Sequence, residues 1–296
     1  MNVLEKYIEF CEKKEVVFQL DNNVRPYDDT TLFCPAGMQQ FKSEFKNPDG
    51  TTTANVQACL RLQDIDEIGD GTHLLYFNML GLFSFNKMTM QESVDFWVEF
   101  IQEELGLKLD YVTIHADKME EWKGLYDQYG TEIREDEECI WTDGEMGGYC
   151  TEFYYNDVEI GNIVNTSGES IDVGFGLERL EAAVNGTKVR SAAGTLEDTI
   201  NMIINSAYKP GPQKQGYVLR KLLRTLYNMG GTMDHPFFDR EIERQEKART
   251  RYLRLKDKNK DKDNDWWFDT HGIDINLMKE LGLWFIGLKE NTVRLK

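Results

Sequence analysis

Apolar positions at the start of the chain recur at helical spacing. Leu4, Ile8 and Cys11 form one stripe with Tyr7 beside it, so residues 1–15 read as a helix. Pro26 to Asp29 make a turn, and residues 31–47 begin apolar and end on the helical Phe41/Phe45 spacing. The period then shortens to two. Residues 55–62 and 73–86 are rich in β-branched, aromatic and alternating side chains, and the polar stretch QDIDEIGDG separates them, which predicts strand, long loop, strand. Val94, Trp97, Ile101 and Leu105 mark an amphipathic helix over 90–106. Residues 110–115 read as a strand and 117–128 as a helix, followed by three short strands at 149–155, 158–164 and 170–175.

From Leu177 onward the pattern is helical: 177–185, 194–207, 216–228, a charged stretch over 238–256, and 275–282. Strands first and helices later predict an α+β domain followed by a helical one, with the boundary near 187–193. KDKNKDKDND (256–265) reads as a charged low-complexity loop. The 296 residues suffice for a sizeable core, and no apolar run approaches the length of a membrane span, so no membrane partner is expected. The charged, amphipathic residues 1–15 do not read as a signal peptide. Five cysteines (Cys11, Cys34, Cys59, Cys139, Cys150) lie far apart with no CxxC pair, and there are four histidines. That disfavours a zinc site and a disulfide framework, and points to a reducing, cytoplasmic setting.

The net charge of −18 argues against a general nucleic-acid binder. The charge is unevenly spread. Residues 1–207 carry 15 Lys and Arg against 39 Asp and Glu, a net of −24, whereas residues 208–262 carry 15 against 7, a net of +8. The basic part could meet a phosphate backbone, or it could be a solvated helical face.

The sharpest chemical signal is IDVGFGLERLEAAV (171–184), an apolar strand running into Gly-Phe-Gly before Glu-Arg opens a helix. Glycine lets backbone approach a ligand where a Cβ would block it. An arginine at such a junction suits a phosphate oxygen, because its planar fork makes bidentate contact. The plainer alternative is a glycine-bearing strand before a helix with a surface arginine.

This segment resembles motif 3 of class II aminoacyl-tRNA synthetases, Gly-x-Gly-x-Glu-Arg, and other segments resemble the alanyl-tRNA synthetases within that class, in the same order. TTLFCPAGMQQFKSEF (30–45) is similar to that family's Leu-Phe-x-x-Ala-Gly-Met-x-Gln-Phe-Lys stretch. VQACLR (56–61) and YFNMLGLFSF (76–85) resemble its motif 2 and following strand. GYCTEFYY (148–155), EIGNIV (159–164), GYVLRKL (216–222) and FDTHGID (268–274) resemble further segments, so the likeness spans nearly the whole chain.

The resemblance implies an antiparallel class II sheet flanked by helices, with residues 1–190 as the catalytic domain and 191–296 as a helical tRNA-binding-like domain. It implies activation of a small amino acid, alanine first, with ATP and Mg²⁺, and transfer of the aminoacyl group to a tRNA acceptor stem. Arg61 would hold the α-phosphate and Arg179 the far phosphates; Gly174 and Gly176 would pass beneath the nucleotide, Phe77 would stack on adenine, and Asp64 matches a motif 2 loop aspartate. Asp172 matches the aspartate that receives the substrate ammonium, while Trp141, Asn162, Val164 and Gly174 match the amino-acid pocket. Arg220, Lys221 and Arg224 would grip tRNA phosphates, and Asp269 matches the aspartate that helps read an acceptor-stem G·U pair. Core packing is the alternative for Trp141 and Val164, and a solvated loop charge for Asp64.

The sequence also departs from that family. The motif 2 loop is shorter and lacks the family's lysine between Arg61 and Asp64. Gly161 replaces a tryptophan before Asn162, which could enlarge the pocket. Of the family's paired cysteines only Cys150 remains, and PGPQKQ (210–215) lacks the base-reading asparagine. The chain stops shortly after FDTHGID, so the editing and C-terminal domains of full-length relatives are expected to be absent. A paralogue that passes its adenylate to another acceptor, and a non-catalytic binding protein, are the competing expectations.

Overall fold

A computed structural model describes residues 2–62, 73–142, 144–166, 168–189, 196–228, 230–271 and 273. Two compact units divide the chain, the first ending at Ser206 and the second starting at Ala207. The boundary expected at 190 falls on residues outside the described set.

The first unit is built on a nine-stranded sheet: β1 (Val17–Asp21), β2 (Thr52–Leu60), β3 (Tyr76–Ser84), β4 (Tyr111–Ile114), β5 (Glu132–Glu135), β6 (Ile140–Thr142), β7 (Gly147–Tyr155), β8 (Val158–Asn165) and β9 (Ile171–Gly176). The order is β1-β2-β3-β9-β8-β7-β4-β5, with β6 on β7. The middle is antiparallel, but β1 runs parallel to β2 and β5 parallel to β4, so the sheet is mixed rather than wholly antiparallel. The short outer strands β1, β5 and β6 carry mostly exposed residues. Without a buried alternating face they leave little trace in hydrophobic pattern.

One face of this sheet is dry. Ala54 and Val56 of β2, Leu80 and Leu82 of β3, Val173 and Phe175 of β9, Ile163 of β8, Phe153 of β7 and Val112 and Ile114 of β4 belong to a single buried cluster. Helices α1 (Val3–Lys13) and α3 (Met90–Glu99), with the π-helical turn Phe100–Glu104 that prolongs α3, supply Tyr7, Phe10, Val94, Trp97 and Phe100 to the same cluster. Trp97 stacks on Phe175 with centroids 4.0 Å apart, and the Tyr7 hydroxyl donates to the Gly81 carbonyl at 2.9 Å. A Thr89/Glu92 capping box starts α3.

Among the described residues the remaining α-helices of this unit are α2 (Lys42–Lys46), α4 (Ala116–Trp122), α5 (Leu177–Asn185) and α6 (Leu196–Asn205). Helix α5 leaves β9 directly and buries Leu177 and Leu180, while α6 buries Thr199, Ile200 and Ile203. Ser206, just beyond α6, accepts the Val24 N–H at 3.0 Å, which ties the end of the unit back to its first third.

The second unit contains α7 (Lys214–Asn228), α8 (Pro236–Leu255) and α9 (Asn264–His271). Leu219, Leu222, Leu223 and Leu226 give α7 its buried stripe. Pro236 opens α8, with His235 Nδ1 accepting the Phe237 N–H as a cap at 3.1 Å. The stretch 256–265, expected as a loop, is partly helical: Lys256–Lys258 make a 3₁₀ turn and α9 begins at Asn264. Tyr252, Trp267 and Ile273 pack together, and that apolar contact orders the segment despite its charge. The helix expected at 275–282 lies outside the described residues.

Candidate active site

Strand alternation sends every second residue to the other face of the sheet. Along β2 these are Thr53, Asn55, Gln57 and Cys59, which stand opposite Phe83, Gly81, Met79 and Phe77 of β3. Asp172, Gly174 and Gly176 of β9 stand opposite Phe83, Gly81 and Met79. Val164 and Asn162 of β8 follow opposite Asp172 and Gly174, and Cys150 and Glu152 of β7 opposite Val164 and Asn162. Arg61 extends the β2 ladder by one step, its N–H donating to the Leu75 carbonyl at 2.9 Å. Arg61, Phe77, Asn162, Val164, Asp172, Gly174 and Gly176, far apart in sequence, therefore share one face.

One turn of chain lies over part of that face. The 3₁₀ turn Gly37–Gln40 sits so close that a Cβ on Gly37 would lie 2.8 Å from Phe83 Cζ. Glycine at 37 is thus a packing requirement. Gln40 Nε2 donates to Gln57 Oε1 at 2.9 Å, and the Pro35 carbonyl accepts Arg61 Nε at 3.0 Å. The Arg61 guanidinium stands over the Phe77 ring, 5.1 Å from its centroid, so the ring proposed for adenine already backs an arginine on one side. Trp141, on β6, packs against Cys139, Cys150 and Val164 and also against the aromatic cluster of Phe41, Phe45, Phe83 and Phe85.

Arg179 stands in the first turn of α5 and folds back over the end of β9: a Cβ on Gly176 would lie 3.3 Å from Arg179 Cδ. Its Nη1 donates to the Glu159 carbonyl at 2.7 Å and to Glu159 Oε2 at 3.0 Å. Glu178, its neighbour in Gly-Leu-Glu-Arg, is buried and accepts both the backbone and side-chain N–H of Asn78 at 2.9 Å. Burial raises the Glu178 pKa, and the Asn78 hydrogen bonds oppose that rise. Glu152 is also raised, first by burial and then by the Glu159 carboxylate. Asp172 is 7% exposed and Val164 1%.

Several expectations change with the structure. Gly161 does not open the pocket. It pairs with Phe153 and Phe175 on the dry face, where a Cβ would lie 2.3 Å from Phe175 Cγ, so Phe175 fills the room that a tryptophan would need. At Gly174 the space above the backbone holds Met79, whose Sδ would lie 2.7 Å from a Cβ. In the second unit Arg224 is 6% exposed, donating to Glu241 Oε1 at 2.8 Å, and Arg220 Nε donates to both carboxylate oxygens of Glu241 at 2.9 and 3.0 Å. These two arginines brace α7 against α8 through Glu241. Lys221 on the same helix is partly exposed. Asp64 and the side chain of Asp269 lie outside the described residues.

Sequence reasoning missed Asn55 and Gln57, although their alternation with Ala54, Val56 and Ala58 marked a polar strand face. It also missed Glu159 and Cys139. Cys139 escaped because spacing along the chain does not reveal a cross-strand neighbour.

The first unit is thus a mixed sheet with one dry face and one polar, glycine-bearing face that carries Arg61 and Asp172, with Arg179 folded over its end, and comparison with known families gives its class. The family model for class II (A) tRNA synthetases matches residues 2–207, and the chain belongs to that family. Among curated proteins it is similar to the alanine–tRNA ligase of Rhodopirellula baltica, 29% identical over 81% of this chain and 33% of that protein. It is similar also to that of Endomicrobium trichonymphae, 29% identical over 71% of this chain and 32% of the relative. The chain thus spans about a third of the length of these relatives. The apo histidyl-tRNA synthetase structure from S. aureus is similar at TM-score 0.44 and 13% identity, covering 83% of this chain and 82% of its own. Among the described residues no helix is long and apolar enough to cross a membrane.

Proposed function

We propose that the chain activates a small amino acid, alanine first, by condensing it with ATP, and transfers the aminoacyl group to tRNA. The observation that supports this best is the shared sheet face holding Arg61, Asp172 and the Gly174/Gly176 backbone, with Arg179 folded over its end. In the reaction the substrate carboxylate attacks the α-phosphorus and pyrophosphate leaves. The nucleophile is already ionised, so positioning and electrostatics carry the catalysis. Arg61, fixed by the Pro35 carbonyl and backed by Phe77, is suited to the charge that builds on the α-phosphate. Arg179 would hold the far phosphates. Asp172 would take the substrate ammonium, between Val164 and Phe83. Trp141, Asn162 and Val164 would bound a small side chain.

Mg²⁺ would neutralise the triphosphate. Glu178 is assigned a packing role, because Asn78 holds its carboxylate. The residues 1–190 would then be the catalytic domain and 191–296 the part that meets the acceptor stem, through Lys221 and Asp269.

A second reading passes the adenylate to an acceptor other than tRNA. Arg220 and Arg224 are engaged by Glu241, and the first 207 residues carry a net charge of −24, both of which weaken a phosphate-binding surface. ATP–pyrophosphate exchange tests the activation step: exchange that depends on alanine or another small amino acid is expected. A folded sample without exchange on any standard amino acid would overturn both readings. Exchange without charging of purified tRNA would select the second.

A further inference from the structure

Cys139 and Cys150 meet across the β6–β7 hairpin, where the Cys150 N–H donates to the Cys139 carbonyl at 2.9 Å. Both are buried, at 0% and 1% exposure. Glu152, two residues along β7 on the same face, brings a carboxylate to them, with Cys150 Sγ 3.9 Å from Glu152 Oε1. One ligand atom from each residue lies within 4.8 Å of the others, the one such grouping among the described residues.

We propose that Cys139, Cys150 and Glu152 form a binding site for a thiophilic divalent cation of the zinc type. Two sulfurs and one carboxylate oxygen suit zinc, whereas magnesium and calcium take oxygen ligands. Zinc–sulfur bonds of about 2.3 Å and zinc–oxygen bonds of about 2.0–2.2 Å set ligand atoms roughly 3.5–4 Å apart in a tetrahedron. The observed spacing therefore closes by about an ångström of side-chain adjustment.

The surroundings supply the usual second layer. The Thr113 hydroxyl lies 2.9 Å from Cys139 Sγ and donates to Glu152 Oε2 at 3.4 Å, and the Tyr154 hydroxyl donates to the same oxygen at 2.8 Å. Glu159 adds a second carboxylate whose charge bears on both Cys150 and Glu152. A divalent cation would offset that concentration of charge. It would also lock β6 onto β7 and so fix Trp141, which packs on Cys139, Cys150 and Val164.

Cobalt(II) titrated into the reduced, metal-free full chain is expected to give an intense near-ultraviolet thiolate-to-cobalt band. The band should saturate at one ion per chain and be bleached by zinc. Cys139→Ser and Cys150→Ser should remove it, Glu152→Gln should weaken cobalt binding about tenfold or more, and Cys34→Ser should leave it intact. X-ray absorption at the zinc edge of the unmutated chain needs no variant to fold, and should find two sulfur neighbours at about 2.3 Å. No saturable band, a band that survives Cys139→Ser, or only nitrogen and oxygen neighbours would overturn the site. None of these readouts depends on amino-acid activation, so this proposal can fail while the adenylate reading stands, and the reverse.

Discussion

The two faces of the central sheet use the same strands and the same alternation, yet they are built for opposite ends. On one, Phe153, Phe175, Leu80 and Val173 pack into a continuous apolar cluster with α1 and α3, and even the gap at Gly161 is filled by the Phe175 ring. On the other, Asn55, Gln57, Asp172 and Glu152 are carried into buried or half-buried positions among glycines. Burying polar groups costs stability unless each is paired. The dry face holds the fold together strongly enough for the polar face to be arranged for another purpose. A single pleated sheet thereby separates stability from chemistry, residue by residue.

If that division is right, substitutions on the two faces should fail in different measurements. The largest stability effect should come from Phe175→Ala. The ring stacks on Trp97, packs edge-on against Phe153 and fills the space over Gly161, so its removal opens a large cavity in the dry face. A loss of about 3–5 kcal/mol is expected in denaturant unfolding of the first unit. A loss under about 1 kcal/mol would mean that this face is looser than its packing implies. Arg179→Ala should do the converse, lowering ATP–pyrophosphate exchange by about 10²–10³-fold, the usual scale for a charge-stabilising group. Its ion pair with Glu159 is partly exposed, so the same variant should lose no more than about 1 kcal/mol of stability. A large fall in stability with exchange retained would reassign Arg179 to the scaffold.

The two faces were also unequally legible in the sequence. Long strands with a buried side announce themselves by alternation, so β2, β3, β7, β8 and β9 were readable nearly to their ends. The edge strands β1 and β5 bury no such side, and their parallel pairing depends on contacts distant in sequence. On the polar face, Asp172 and the Gly174–Arg179 run were visible because they are consecutive. Asn55, Glu159 and Cys139 were not, because each gains its meaning from a neighbour on another element, as Glu159 does from Arg179. Arg220 and Arg224 show the same dependence on a partner distant in sequence. A basic helical stripe looks solvated until the acid that pairs with it, Glu241 on the next helix, is placed opposite.

Glu152→Gln gives the smallest and sharpest test, because it removes a charge from the polar face while keeping the shape. Burial and the nearby Glu159 hold the Glu152 carboxyl above its ordinary range in the folded chain. A carboxyl with a raised folded pKa binds protons more tightly folded than unfolded. Its contribution is therefore fully present below the unfolded pKa and is lost as the pH rises through the folded one. At neutral pH the native chain bears the cost of burying that charge, and glutamine does not. In the metal-free chain the variant should melt slightly higher at pH 7, by about 1–3 °C, and the advantage should vanish below about pH 4. Tyr154 can donate to an amide oxygen as it does to the carboxylate, so the hydrogen bond at this position need not be lost. A variant that melts lower at pH 7 would mean that the ionised carboxylate stabilises this face, and that the polar side of the sheet is less strained by its own charge than its burial implies.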